Sequence, residues 1–218
     1  EKEIPRYKDK INFVHLCFST DPFMYRQKEV ASLTLKIIER LNKDNIRCTV
    51  LTKGVYPKEL ANTKKYSKEN VYGITLVSLD KDFKKKIEPF SAPFKDRIKS
   101  LKYLHNKGLK TWVSMEPYPT PNLVQQDLSK ILEEISFVDK IIFGKLNYRI
   151  ESSQFISNKD KKFYEQHANK VISFCKKRGI GRHIKYGTLK KDNKKTEKIF
   201  RTNRIINKTR VLPLPVNY

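Results

Sequence analysis

Five times along this chain a short apolar run stops abruptly at a small cluster of polar residues. The first run covers residues 13–18 and meets Ser19, Thr20 and Asp21, then Pro22. A proline has no amide hydrogen, so the run cannot continue as a paired central strand. The later runs meet Thr52-Lys53-Gly54, Ser78-Leu79-Asp80, Glu116-Pro117 and Gly144-Lys145-Leu146-Asn147. In parallel α/β folds ligands sit at the carboxyl ends of the strands, where the loops converge. The polar clusters are therefore the first candidates for a site.

The segments between the runs read as helices. Residues 27–42 carry Val30, Leu33, Ile37, Ile38 and Leu41 at helical spacing. Residues 93–106 carry Phe94, Ile98, Leu101 and Leu104, and residues 122–135 carry Leu128, Ile131, Leu132 and Ile135. A helix over 159–177 would bury Phe163, His167, Val171 and Phe174, and a short helix is expected over 57–61. The lysines of 81–86 read as a basic loop, and 182–186 as a short sixth strand. Alternation of this kind implies a parallel sheet with outer helices. Right-handed crossovers leave an open doubly wound sheet or a barrel segment. Neither GxGxxG nor GxxxxGK[ST] occurs, which weakens the dinucleotide and P-loop versions. The expectation is an α/β chain: a partial (β/α) barrel of five to six parallel strands over 11–187, with an arm at 1–10 and a basic extended tail at 188–218.

The chain has 218 residues and a net charge of +24, from 47 Lys and Arg against 23 Asp and Glu. Such a field attracts polyanions, and nucleic acid is the functional reading. The bland reading is a set of solvated lysines on surface helices. The tail decides for the polyanion, with nine basic residues (Lys190, Lys191, Lys194, Lys195, Lys198, Arg201, Arg204, Lys208 and Arg210) against Asp192 and Glu197. No apolar run is long enough for a membrane span. The first residues have no apolar h-region and do not begin with Met, which reads as the start of a fragment. Cys17, Cys48 and Cys175 are far apart, without zinc or iron–sulfur spacing. A sparse, odd count points to the cytoplasm or another reducing compartment.

The motifs, taken together, resemble the radical SAM superfamily, in particular its spore photoproduct lyase-like group. Five anchors carry the resemblance in order: Cys17-Phe18-Ser19-Thr20-Asp21-Pro22; Val50-Leu51-Thr52-Lys53; Thr75-Leu76-Val77-Ser78-Leu79-Asp80; Glu88-Pro89-Phe90-Ser91-Ala92-Pro93 with Arg97; and Met115-Glu116-Pro117. The resemblance implies S-adenosylmethionine held at the strand ends. It implies that Ser19, Lys53 and Ser78 contact the methionine carboxylate and ribose; Glu116 joins them as a candidate cofactor contact. It also implies a hydrogen-atom donor at Cys17, two residues before Ser19, although a strand cysteine also reads as a small apolar filler. The family's CxxxCxxC segment lies upstream of the stretch equivalent to Phe13 and is absent from this chain. Without its thiolates no 4Fe–4S cluster is held in the usual way and no electron reaches S-adenosylmethionine. The cluster is thus expected only if an upstream segment or a partner chain supplies the cysteines and the missing front strand.

Two functions stand open. One is the S-adenosylmethionine-binding barrel of a radical SAM enzyme acting on a nucleic-acid or other anionic substrate. The other is an inactive radical SAM-like scaffold that binds RNA or DNA, within a ribonucleoprotein assembly. Among the remaining residues, His15, His105, His167 and His183 lack ligand spacing and read as structural or surface residues. Asp21 and Glu116 could form a polar pair on the rim; alternatively Asp21 caps the helix entered after Pro22, and Glu116 partners a lysine. Tyr118 and Tyr148 could stack on a base, but eleven tyrosines make that coincidence cheap. Ser19 lacks the elbow sequence of a hydrolytic nucleophile.

Overall fold

The computed structural model describes residues 4, 8–17, 19–146 and 158–189. Six parallel strands form one sheet: β1 (Phe13–Leu16), β2 (Arg47–Thr52), β3 (Val71–Thr75), β4 (Lys110–Tyr118), β5 (Lys140–Lys145) and β6 (Gly181–Ile184). They lie in chain order, each hydrogen-bonded to its neighbour in sequence. A doubly wound sheet reverses order at a switch point, so the unbroken order decides for a barrel segment. β1 and β6 do not pair, and the barrel stays open.

The crossovers are α1 (Lys28–Lys43), a 3-10 turn at Lys58–Ala61, the pair α2 (Lys81–Ile87) and α3 (Phe94–Asn106), then α4 (Leu128–Glu134) and α5 (Asn158–Arg178). Side chains alternate along each strand. Cys48, Val50, Tyr72, Ile74, Val113, Met115, Ile141 and Phe143 belong to the apolar core between sheet and helices. The alternate positions, in register across the sheet, include His15, Thr49, Leu51, Gly73, Trp112, Ser114 and Ile142, and face the concave side. There the Trp112 indole lies on Gly73: a Cβ at Gly73 would stand 2.3 Å from Trp112 Cε2. No larger residue fits beneath the ring.

Several elements differ from the sequence expectation. Residues 81–86 belong to α2 rather than to a loop, because Asp80 accepts a hydrogen bond from the Phe83 amide at 2.6 Å and Phe83 is buried. β1 ends at Leu16, ahead of the bend at 19–20 that brings Asp21 back towards the sheet. The short helix expected over 57–61 is present as the 3-10 turn Lys58–Ala61. α4 starts at Leu128 instead of 122; Asp127 caps it, and Gln126 donates to the Val77 carbonyl at 2.8 Å. α1 buries Thr34, Ile38 and Leu41 and leaves Leu33 and Ile37 in solvent. The Thr34 hydroxyl, donating to the Pro22 carbonyl at 2.6 Å, fixes that rotation. α5 buries Tyr164, Ala168, Val171 and Cys175, one position on from the expected face at three of its four places, with the Tyr164 hydroxyl donating to the Tyr118 carbonyl at 2.8 Å.

Candidate functional site

At the carboxyl end of β2 every polar group of Lys53 has a partner. Its amide donates to Asp21 Oδ2 at 2.7 Å, and its carbonyl accepts from the Ala92 amide at 2.9 Å. Its ammonium lies 2.9 Å from Glu88 Oε1. Asp21 also accepts from the Thr52 hydroxyl and, at 2.9 Å, from the Phe23 amide. The helix begins only at Lys28, so Asp21 is not its cap. It is the bracket between the ends of β1 and β2.

Glu88 is shared. Its other oxygen accepts from Arg97 Nη2 at 2.8 Å. Arg97 is 1% exposed and also donates to the carbonyls of Ala92 and Thr75 and to the Ser91 hydroxyl. Burial pushes the Glu88 carboxyl up, but Arg97 and Lys53 outweigh it and hold it below the ordinary value. Arg97 is sealed in and balances Glu88. The Lys53 side chain is 44% exposed and brings accessible positive charge to the end of β2. A carboxylate or phosphate reaching this rim would meet an ammonium already oriented.

The other expected cofactor contacts fall around the same rim with unequal roles. Ser19 is exposed in the bend after β1. Ser78 is buried just beyond β3, and its oxygen accepts from the Asp80 amide at 3.0 Å, which leaves its own hydrogen to donate. Glu116 does not meet Asp21. It pairs with Lys185 at 3.2 Å, above Gly144, where a Cβ would lie 2.9 Å from the Glu116 carboxyl carbon.

Cys17 faces His15, with Sγ 2.9 Å from Nε2. Burial, then Asp21, raises the thiol, while burial lowers His15 against a hydrogen bond to the Thr49 backbone. The two shifts favour a neutral thiol beside a neutral ring over a thiolate–imidazolium pair. Sequence reasoning missed this pair, although the i, i+2 spacing on a strand was its signal. Tyr118 is buried between Phe143 and Phe163 and cannot stack on a base. His105 and His167 make local contacts with Thr111 and with the Phe163 carbonyl. Tyr148 and the nine tail residues lie outside the described residues.

The cysteines do not fit an iron–sulfur cluster. Cys48 and Cys175 are buried in the core, pushed by burial up to about 12 and about 11. Among the described residues no group of His, Cys, Asp and Glu could hold a metal, and no helix is long and apolar enough to cross a membrane.

A sequence model of the radical SAM superfamily matches residues 1–135. An uncharacterised protein of Methanocaldococcus jannaschii is 29% identical over 163 residues, 68% of this chain and 60% of that protein. An uncharacterised protein of Acidianus two-tailed virus is 26% identical over 135 residues, 62% of this chain and 44% of that protein. The chain thus spans roughly half of each curated relative's length. Among solved structures, spore photoproduct lyase complexed with a dinucleoside spore photoproduct superposes with a TM-score of 0.61 at 12% identity, over 85% of this chain and 65% of that one. Streptococcus suis SuiB bound to S-adenosylmethionine gives 0.57 at 16% identity, over 84% of this chain and 42% of that one.

Proposed function

The chain belongs to the radical SAM superfamily, and on that premise we propose that it binds S-adenosylmethionine at the carboxyl ends of β1–β3 and acts on a nucleic-acid or other anionic substrate. The observation that carries this reading is the fixing of Lys53 at its amide, carbonyl and ammonium, with Glu88 balanced from behind by Arg97. Lys53 receives the methionine carboxylate. Ser78 and Ser19 offer hydroxyls to the ribose and amino-acid portion, and Glu116 with Lys185 bounds the far side of the concave face. Cys17, kept as a neutral thiol, is the group positioned to give up a hydrogen atom. When bound, S-adenosylmethionine supplies the superfamily's radical source, which requires a cluster. Its thiolates come from outside these residues, from a preceding segment or a partner chain. The anionic substrate is supported by the net charge of +24.

The test is calorimetric titration of S-adenosylmethionine into the chain and into Lys53→Ala. A charge-assisted contact of this kind contributes about 1.5–3 kcal/mol, so the variant should bind roughly ten- to a hundredfold more weakly. Absence of saturable binding by the unaltered chain would overturn the reading and leave the barrel a scaffold.

A further inference from the structure

The segment between β3 and α3 has an exposed face that the cofactor site leaves unused. α2 presents Lys81, Lys85 and Lys86 to solvent, and none of the three has an ion pair among the described residues. Its last residue, Ile87, and Phe90 just beyond it are large apolar side chains in water, at 56% and 89% exposure. Phe90 is not on a loose loop. It occupies a turn in which the Ser91 amide and hydroxyl both donate to the Glu88 carbonyl, at 3.1 and 2.7 Å. Arg97 holds Glu88 and Ser91 from inside, and the Lys84 ammonium donates to the Pro89 carbonyl at 3.3 Å. Two residues on, the Ala92 amide meets Lys53. The turn that bears the ring is therefore anchored beside Lys53.

A bare aromatic ring on a hydrogen-bonded turn gains by covering its face, and the three exposed ammonium groups of the preceding helix attract phosphates. That combination suits a strand whose bases are unpaired. Base faces stack on aromatic rings regardless of sequence, whereas a duplex hides those faces. We propose that Phe90 and the outer face of α2 form a docking surface for single-stranded nucleic acid, with Phe90 stacking on one base and Lys81, Lys85 and Lys86 reading the flanking phosphates. The proposal rests on the nucleic-acid reading of the substrate above and places its entry point beside Lys53.

The experiment is fluorescence anisotropy of the whole chain with a labelled mixed-sequence oligonucleotide of about 12 nucleotides, as RNA and as DNA, single-stranded and as the duplex. Phe90→Ala should weaken single-strand binding roughly tenfold or more, with its melting temperature unchanged because the ring is exposed. Phe90→Trp should restore affinity and show quenching of the new indole on binding. Replacing Lys85 and Lys86 together by Gln should flatten the slope of log affinity against log salt by about 1.4, at about 0.7 per phosphate contact. Unaltered affinity in Phe90→Ala would overturn this surface; should deletion of residues 190–218 then abolish binding, the nucleic-acid reading would survive on the tail. No binding to any oligonucleotide would overturn both. Phe90-dependent binding to anionic vesicles, or Phe90-dependent self-association, would overturn the assigned occupant.

Discussion

Glu88 touches two cations of unequal standing, one sealed in the core and one reaching into solvent. Because its carboxyl is held below the ordinary value, its stabilising contribution is complete above the unfolded pKa, about 4.3. That contribution is lost as pH falls through the lower folded value. Urea midpoints measured below about pH 4.5 should therefore fall faster for the unaltered chain than for Glu88→Gln. Arg97→Ala leaves Glu88 buried with only Lys53 and strips donors from two carbonyls; the expected loss is about 3–5 kcal/mol in urea unfolding. Arg97→Lys should recover little, since one ammonium cannot span the carboxylate, both carbonyls and Ser91 together. The sequence shows Glu88 and Arg97 as parts of one anchor but not as a pair. Their separation of nine residues across a turn and a helix matches no local pairing rule. Asp21 was legible as a polar residue at a strand end. Its attachment to Lys53 was not, because a cap and a bridge between strands look the same in one dimension.

Among the elements, β3 and β4 approach most tightly where Gly73 faces Trp112. The indole of Trp112 occupies the space a side chain at position 73 would need. Gly73→Ala should destabilise by about 1–3 kcal/mol, and adding Trp112→Leu should return part of that, read as a coupling in a double-mutant cycle. α2 depends on its cap, so Asp80→Ala should lower stability by about 1 kcal/mol. α2 escaped sequence reasoning because its only buried residue is Phe83. With four lysines around a single apolar anchor there is no period to see. The segments of α3 and α4 carried four apolar positions each at the right spacing, Ile135 falling at the end of α4, and those positions lie in the core or pack against it. α1 and α5 were legible as helices but not in their rotation, which hydrogen bonds from Thr34 and Tyr164 set. A hydroxyl carries no hydrophobic signal, so a stripe read from apolar residues alone is turned slightly from the true one.

At the scale of the whole molecule, the parallel sheet with outer helices follows from repeated apolar runs with polar ends and helices between them, while the unbroken strand order that makes it a barrel segment is seen only in the structure. What the runs could not reveal is how the strand ends are joined: Asp21 spans β1 and β2, while Arg97 and Glu88 tie the end of β3 to that of β2. The open sheet has a kinetic consequence. Among the described residues β1 and β6 are each paired on one side only, whereas β3 and β4 are flanked on both. In deuterated solvent, amide exchange should run as a gradient, fastest in the two outer strands and slowest in β3 and β4. Cys17 follows an outer strand and Lys53 the strand next to it. The thiol is thus expected to sit on a segment that opens more often than the one bearing the ammonium. Slowing of exchange in β1 when a ligand is added would register occupancy of the concave face before any chemistry could be observed.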